Sequence, residues 1–119
     1  MELNGLSFLG SGRGPVGGAG FQAANPQTGG LLPPVFHSAS PAEVNAAVEL
    51  AAEAFASYSQ ASGRAKAAFL RLAADGFEAN REELAGRAHL ETALPMPRLL
   101  GEVGRTANQL RLFAGVLEE

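Results

Sequence analysis

The stretch Gly101-Glu102-Val103-Gly104-Arg105-Thr106-Ala107-Asn108-Gln109-Leu110-Arg111-Leu112-Phe113-Ala114-Gly115 is the middle of a helix predicted from Pro97 to about Leu117. Leu100, Val103, Ala107, Leu110, Ala114 and Leu117 recur at alternating steps of three and four. That spacing keeps them on one face of an α-helix. Leu112 and Val116 are also apolar but point away from this stripe, and Phe113 fills part of the gap between. A helix end that is apolar almost all round expects burial on more than one side. Only Glu118 and Glu119 follow, so the second face expects partners that these residues do not supply.

The whole chain, 119 residues with this helix included, suffices for one small domain. Apolar residues make up 46 %, but many are alanine, and the aromatics are seven phenylalanines and one tyrosine. The expected core is therefore poor in large side chains. A net charge of -3, with scattered basic residues, argues against a nucleic-acid surface. The lack of cysteine excludes disulfides, thiolate nucleophiles and cysteine-ligated metals within this sequence. Met1-Glu2-Leu3-Asn4 shows neither the basic nor the apolar region of a secretory signal, and no run reaches the roughly 20 apolar residues of a membrane span. A cytoplasmic chain without membrane or nucleic-acid partners is the expectation.

The pattern predicts a mainly α chain with an N-terminal β-hairpin, α+β when taken as a fragment, in a single incomplete domain over residues 1–119. Residues 1–20 form a glycine-rich lead in which Leu6-Ser7-Phe8-Leu9 suits a short strand and the rest reads as loop. Gly12-Arg13-Gly14-Pro15-Val16-Gly17 fits G-x-G-x-x-G literally. A dinucleotide site, however, needs a helix to open directly behind the glycines, and Pro15, Gly18 and Gly20 suit none. Residues 21–36 read as the hairpin: Phe21–Ala24, a turn at Asn25–Gly30, and a return strand in which Pro33 and Pro34 cannot donate to a ladder. Residues 40–119 read as three or four helices. Ser40-Pro41-Ala42-Glu43 is a capping box with proline at the first helical position, ahead of a face of Val44, Ala47, Val48, Ala51, Phe55 and Tyr58. A second helix follows Ser62-Gly63, with Ala65, Ala68, Phe69, Leu72, Ala73 and Phe77 on one face. Asn80, with Glu83 three positions on, is expected to cap a third helix, which Leu94-Pro95 stops.

Catalytic chemistry is hard to assemble from these residues. His37 and His89 lie far apart without paired-ligand spacing, so neither a metal site nor a catalytic residue is expected, and both read as surface or capping histidines. Arg105 stands out because it lies opposite the main stripe and shares its face with Gln109, Leu112 and Val116. It reads either as a carboxylate clamp in a pocket completed by further sequence or as an exposed arginine covering apolar surface.

Taken together, these motifs resemble the N-terminal part of the NAD(P)-dependent aldehyde dehydrogenases, nearest to the branch oxidising α-ketoglutaric semialdehyde (2,5-dioxopentanoate). Phe21-Gln22-Ala23-Ala24-Asn25-Pro26-Gln27-Thr28-Gly29 is similar to that family's F-x-A-x-N-P-x-T-G hairpin. The Ser40–Phe55 helix, the Arg64–Ala73 helix and the Glu91-Thr92-Ala93-Leu94-Pro95 turn follow in the family's order. Gly101–Thr106 and Gln109–Ala114 resemble the semialdehyde branch in particular. Gly30 replaces a usual glutamate and Ala93 a usual glycine. Where that glycine position needs positive φ, Ala93 is expected to be strained.

The resemblance implies the N-terminal part of an α/β fold and an enzyme that oxidises a semialdehyde with a distal carboxylate to the acid. It further implies NAD or NADP, a homo-oligomer, and a cysteine nucleophile with a water-activating glutamate in later segments. The present chain holds neither that cysteine nor the cofactor site, so no cofactor and no activity are expected for it alone. Its partners would be the missing catalytic and cofactor-binding domains. Arg105 and Gln109 are carried over as substrate-binding residues lining the aldehyde's access tunnel. The alternatives are a standalone helical interaction module and a complementing subunit of a split enzyme.

Overall fold

A computed structural model describes residues 3–119, and these form two compact units. One holds the residues up to Ala24 together with Gly30–Gln60; the other holds Asn25–Gly29 and Ala61–Glu119.

In the first unit two short strands, β1 (Phe8–Leu9) and β2 (Gly12–Arg13), pair antiparallel around Gly10, whose φ is 58°. The sequence suggested loop after Leu9. Gly10 instead supplies the left-handed residue of a two-residue turn, and the Gly14 N–H donates to Ser7 O at 2.8 Å. The Arg13 guanidinium lies 3.4 Å from the centre of the Phe8 ring.

β3 (Gly20–Ala24) and β4 (Leu31–His37) form the expected hairpin, each one residue longer than predicted. Its turn closes through Gly29 N–H to Asn25 O at 2.8 Å and Gln27 N–H to Asn25 Oδ1 at 2.9 Å. Ala23 pairs with Leu32 and Phe21 with Phe36, so the ladder is irregular across Pro33 and Pro34, which have no N–H to donate. The Phe21 and Phe36 rings stack with centres 5.7 Å apart. Gly5, at φ 70°, accepts from the His37 N–H through its carbonyl at 3.0 Å; a Cβ there would lie 1.9 Å from Val35 O, so only glycine fits.

Helix α1 (Pro41–Tyr58) starts as the capping box predicts. The Glu43 N–H donates to Ser40 Oγ at 3.2 Å, and the Ser40 N–H donates to Glu43 Oε2 at 2.8 Å. Its expected core face is not a core: α1 buries no residue, and Val44, Val48, Phe55 and Tyr58 are all exposed.

The second unit packs α2 (Gly63–Ala79), α3 (Arg81–Thr92) and α4 (Met96–Glu118). Ser62 Oγ caps α2 by accepting from the Ala65 N–H at 3.2 Å. The fully buried residues are small: Ala67 and Ala74 on α2, Ala107 and Ala114 on α4, each pair two turns apart. α2 and α4 run antiparallel, since Gly63 abuts Leu117 while Asp75 and Glu78 reach Arg111. Phe69 and Leu72, predicted on the core face of α2, are 60 % and 72 % exposed. Ion pairs flank the alanine seam: Arg111 to Asp75 at 2.9 Å and Arg71 to Glu118 at 2.5 Å.

Asn80 does not cap α3 as expected. Its φ of -105° and ψ of 18° turn the side chain back, and Nδ2 donates to Gly76 O at 2.8 Å, closing α2 instead. At the other end of α3, Ala93 adopts φ 59° and ψ 11°, the left-handed conformation that glycine favours. The strain expected of Ala93 is thus present.

Three outcomes are expected. Ala93→Gly stabilises the helical unit by about 0.5–1 kcal/mol in urea unfolding, because relief of the left-handed penalty exceeds the added chain entropy. Gly63→Ala destabilises it by about 1–3 kcal/mol in the same measurement, since the new Cβ would sit 2.2 Å from the Leu117 carbonyl oxygen. The third concerns pH. The Ser40 N–H, and then its hydroxyl, hold the Glu43 carboxyl below its ordinary value of 4.5. A depressed carboxyl contributes stability that is present above 4.5 and lost as pH falls through the lower folded value. Helical circular dichroism should fall over that acid window, and Glu43→Gln, which can accept the same bond without titrating, should flatten the α1 contribution.

Candidate functional site

The polar face of α4 carries the residues singled out in the sequence. Arg105 and Gln109 are one helical turn apart and line the same open groove, with Arg81, Gly101, Gly104, Asn108 and Leu112. Its volume is about 460 Å³. Gly101 and Gly104 border open space, since a Cβ at either would meet no atom within 4 Å. None of the lining residues is acidic.

The Arg105 side chain is 81 % exposed, and its Nη1 lies 3.5 Å from Glu102 Oε2 on the preceding turn. An exposed pair at that distance holds the guanidinium weakly. The donor fork of Arg105 can therefore turn toward a carboxylate in the groove, with the Gln109 carboxamide beside it as a neutral donor. Leu112 adds an apolar wall, as its shared face with Arg105 suggested.

Arg81 was not legible as a lining residue. It lies more than a score of positions upstream, in a string that reads as a helix start. Its place depends on the tertiary hydrogen bond from Arg81 Nη2 to Leu100 O, 3.2 Å long.

The other polar candidates lie elsewhere and do local work. His89 Nδ1 is 2.7 Å from Leu94 O, across the end of α3, which fixes the donating tautomer at that nitrogen. His37 ends β4. Among the described residues no group of three or more His, Cys, Asp or Glu could hold a metal ion, and no helix is long and apolar enough to cross a membrane.

The glycine motif does not build the helix-capped loop that the phosphates of a nicotinamide dinucleotide need. Gly12 and Arg13 of the glycine motif lie in β2, and the next helix begins only at Pro41. There the Ser40 hydroxyl and the Glu43 carboxylate already occupy the start of α1, where a phosphate would have to sit.

Comparison with known proteins bears on this arrangement. Residues 16–119 match the aldehyde dehydrogenase family. The chain is 44 % identical over 121 residues to alpha-ketoglutaric semialdehyde dehydrogenase 2 of Azospirillum brasilense, covering 100 % of this chain and 23 % of that protein. Alpha-ketoglutaric semialdehyde dehydrogenase of Acinetobacter baylyi is 35 % identical over 119 residues, or 98 % of this chain and 22 % of that protein. A probable succinate-semialdehyde dehydrogenase [NADP(+)] of Synechocystis sp. is 36 % identical over 95 residues, 80 % of this chain and 21 % of the relative. The chain thus spans less than a quarter of the length of these curated relatives.

Proposed function

Because the chain belongs to the aldehyde dehydrogenase family, we propose that it forms one wall of the substrate passage in an NAD(P)-dependent semialdehyde oxidoreductase. In this reading Arg105 holds the distal carboxylate of the aldehyde substrate and Gln109 assists. The observation that carries it is the groove in which Arg105 and Gln109 meet over a glycine floor with no acidic lining residue. The relatives support the substrate class, since the name of each specifies a semialdehyde.

The wall positions the substrate and leaves the bond-making steps to other segments. Without cysteine these 119 residues cannot attack the aldehyde through a thiolate, so the chain alone is inactive by that route. Nucleophile, general base and NAD or NADP then belong to further domains of a cytoplasmic, homo-oligomeric enzyme. What Arg105 contributes is orientation: a guanidinium that anchors the far end of the substrate fixes where the aldehyde carbon lies. A second reading, a helical interaction module, draws on the exposed Phe69 and Leu72 of α2 and the exposed Leu112, Phe113 and Val116 of α4.

Reconstitution tests the first reading. The 119-residue chain is expressed with the remaining length of the Azospirillum relative, and cofactor reduction is followed with α-ketoglutaric semialdehyde and with an uncharged aldehyde. The chain alone should give no turnover and the reconstituted enzyme should turn over. Arg105→Leu should raise KM for the carboxylated substrate on the order of tenfold or more, with little change for the uncharged one; Gln109→Ala should do the same more weakly. Equal losses with both aldehydes would remove Arg105 from carboxylate recognition.

A further inference from the structure

A second guanidinium faces the groove. Arg81, the first residue of α3, lines it opposite a helix from which Arg105, Asn108 and Gln109 project. Through Nη2 it donates to Leu100 O at 3.2 Å, which ties it to α4 one residue before Gly101. Arg71, Arg87, Arg105 and Arg111 each pair with a carboxylate, whereas Arg81 makes no ion pair among the described residues. Arg81 also borders a neighbouring depression with Glu78, Glu82 and Glu83, but its side-chain hydrogen bond draws it to the α4 side.

We propose that Arg81 is a second anion-binding residue of this groove, and that Arg81 and Arg105 together take the 2-oxo carboxylate end of the substrate. The proposal rests on the reading of Arg105 given above and extends it. One ionised carboxylate has about four acceptor positions, and one guanidinium edge satisfies two of them. With Nη2 on Leu100 O, the remaining donors of Arg81 are available for the other two. The carboxamides of Asn108 and Gln109 supply neutral donors for the adjacent keto oxygen. Two positive side chains lining one groove both attract an anion that enters it.

The test uses 2-oxopentanoate, which carries the keto-acid end of α-ketoglutaric semialdehyde without the aldehyde. It is titrated into the nitrogen-labelled 119-residue chain while the backbone amides of Gly101, Gly104 and Asn108 are followed by NMR. Saturable shifts confined to the groove are expected. Arg81→Gln should weaken binding on the order of tenfold, Arg81→Lys by about twofold because it keeps the charge, and thermal melting should be the same for both. If Arg81→Gln binds as tightly as the parent while Arg105→Gln is weakened, the Arg81 assignment is overturned and the Arg105 reading stands. If Arg81→Lys is as weak as Arg81→Gln and both melt early, Arg81 is only a strut to Leu100 and the assignment is again overturned. Absence of saturable binding to the parent chain overturns it as well, while Arg105 is still judged by the reconstituted enzyme.

Discussion

The helical unit depends on close approach of α2 and α4 along a seam of alanines. Ala67, Ala74, Ala107 and Ala114 are completely buried, and Gly63 lets the start of α2 come against the Leu117 carbonyl. Small side chains allow this approach, but each contributes little apolar area, so the seam supplies geometry more than burial energy. Among the described residues Leu99, at 8 % exposure, is the one large apolar side chain that is buried. The ion pairs of Arg71 and Arg111 flank the seam and are themselves solvent-accessible, which makes them weak additions to it.

From that seam the rest of the unit follows. Once alanines face inward, the larger apolar residues must face outward: Phe69 and Leu72 on α2, Leu112, Phe113 and Val116 on α4. The same rotation of α4 sets Arg105 and Gln109 beside Gly101 and Gly104, and the packing of α3 on α4 brings Arg81 to the same groove. Packing and candidate site are therefore two faces of one helix. A groove can persist there because, Leu112 apart, its lining is donors and glycine backbone, which lose nothing by remaining wet.

Elements defined by local chemistry were legible in advance. The Ser40–Glu43 capping box and the hairpin turn that begins at Asn25 each follow from a few adjacent residues, because their hydrogen bonds close within one turn of chain, whereas the strained Ala93 was expected from the family resemblance. The β1–β2 pairing was not legible. A two-residue turn at Gly10 leaves almost no periodicity to detect in strands of two residues. Asn80 shows the limit of a capping motif: the same side chain can serve the helix behind it as well as the one ahead, and here it serves the former.

The order of residues alone places the helix starts and stops, sets Arg105 and Gln109 on a face opposite the main stripe of α4, and excludes thiolate chemistry from these residues. Those properties depend on neighbours within a turn or two, or on composition alone. For α4 the buried Ala107 and Ala114 belong to the stripe read from the sequence, but the core face of α2 emerged only on packing. The apolar stripe of α2 promised a core, yet alanines took that place, because interhelical distance is a property of two surfaces and periodicity describes only one. The position of Arg81 was likewise fixed by a hydrogen bond to a carbonyl 19 residues away, a contact that no local pattern encodes.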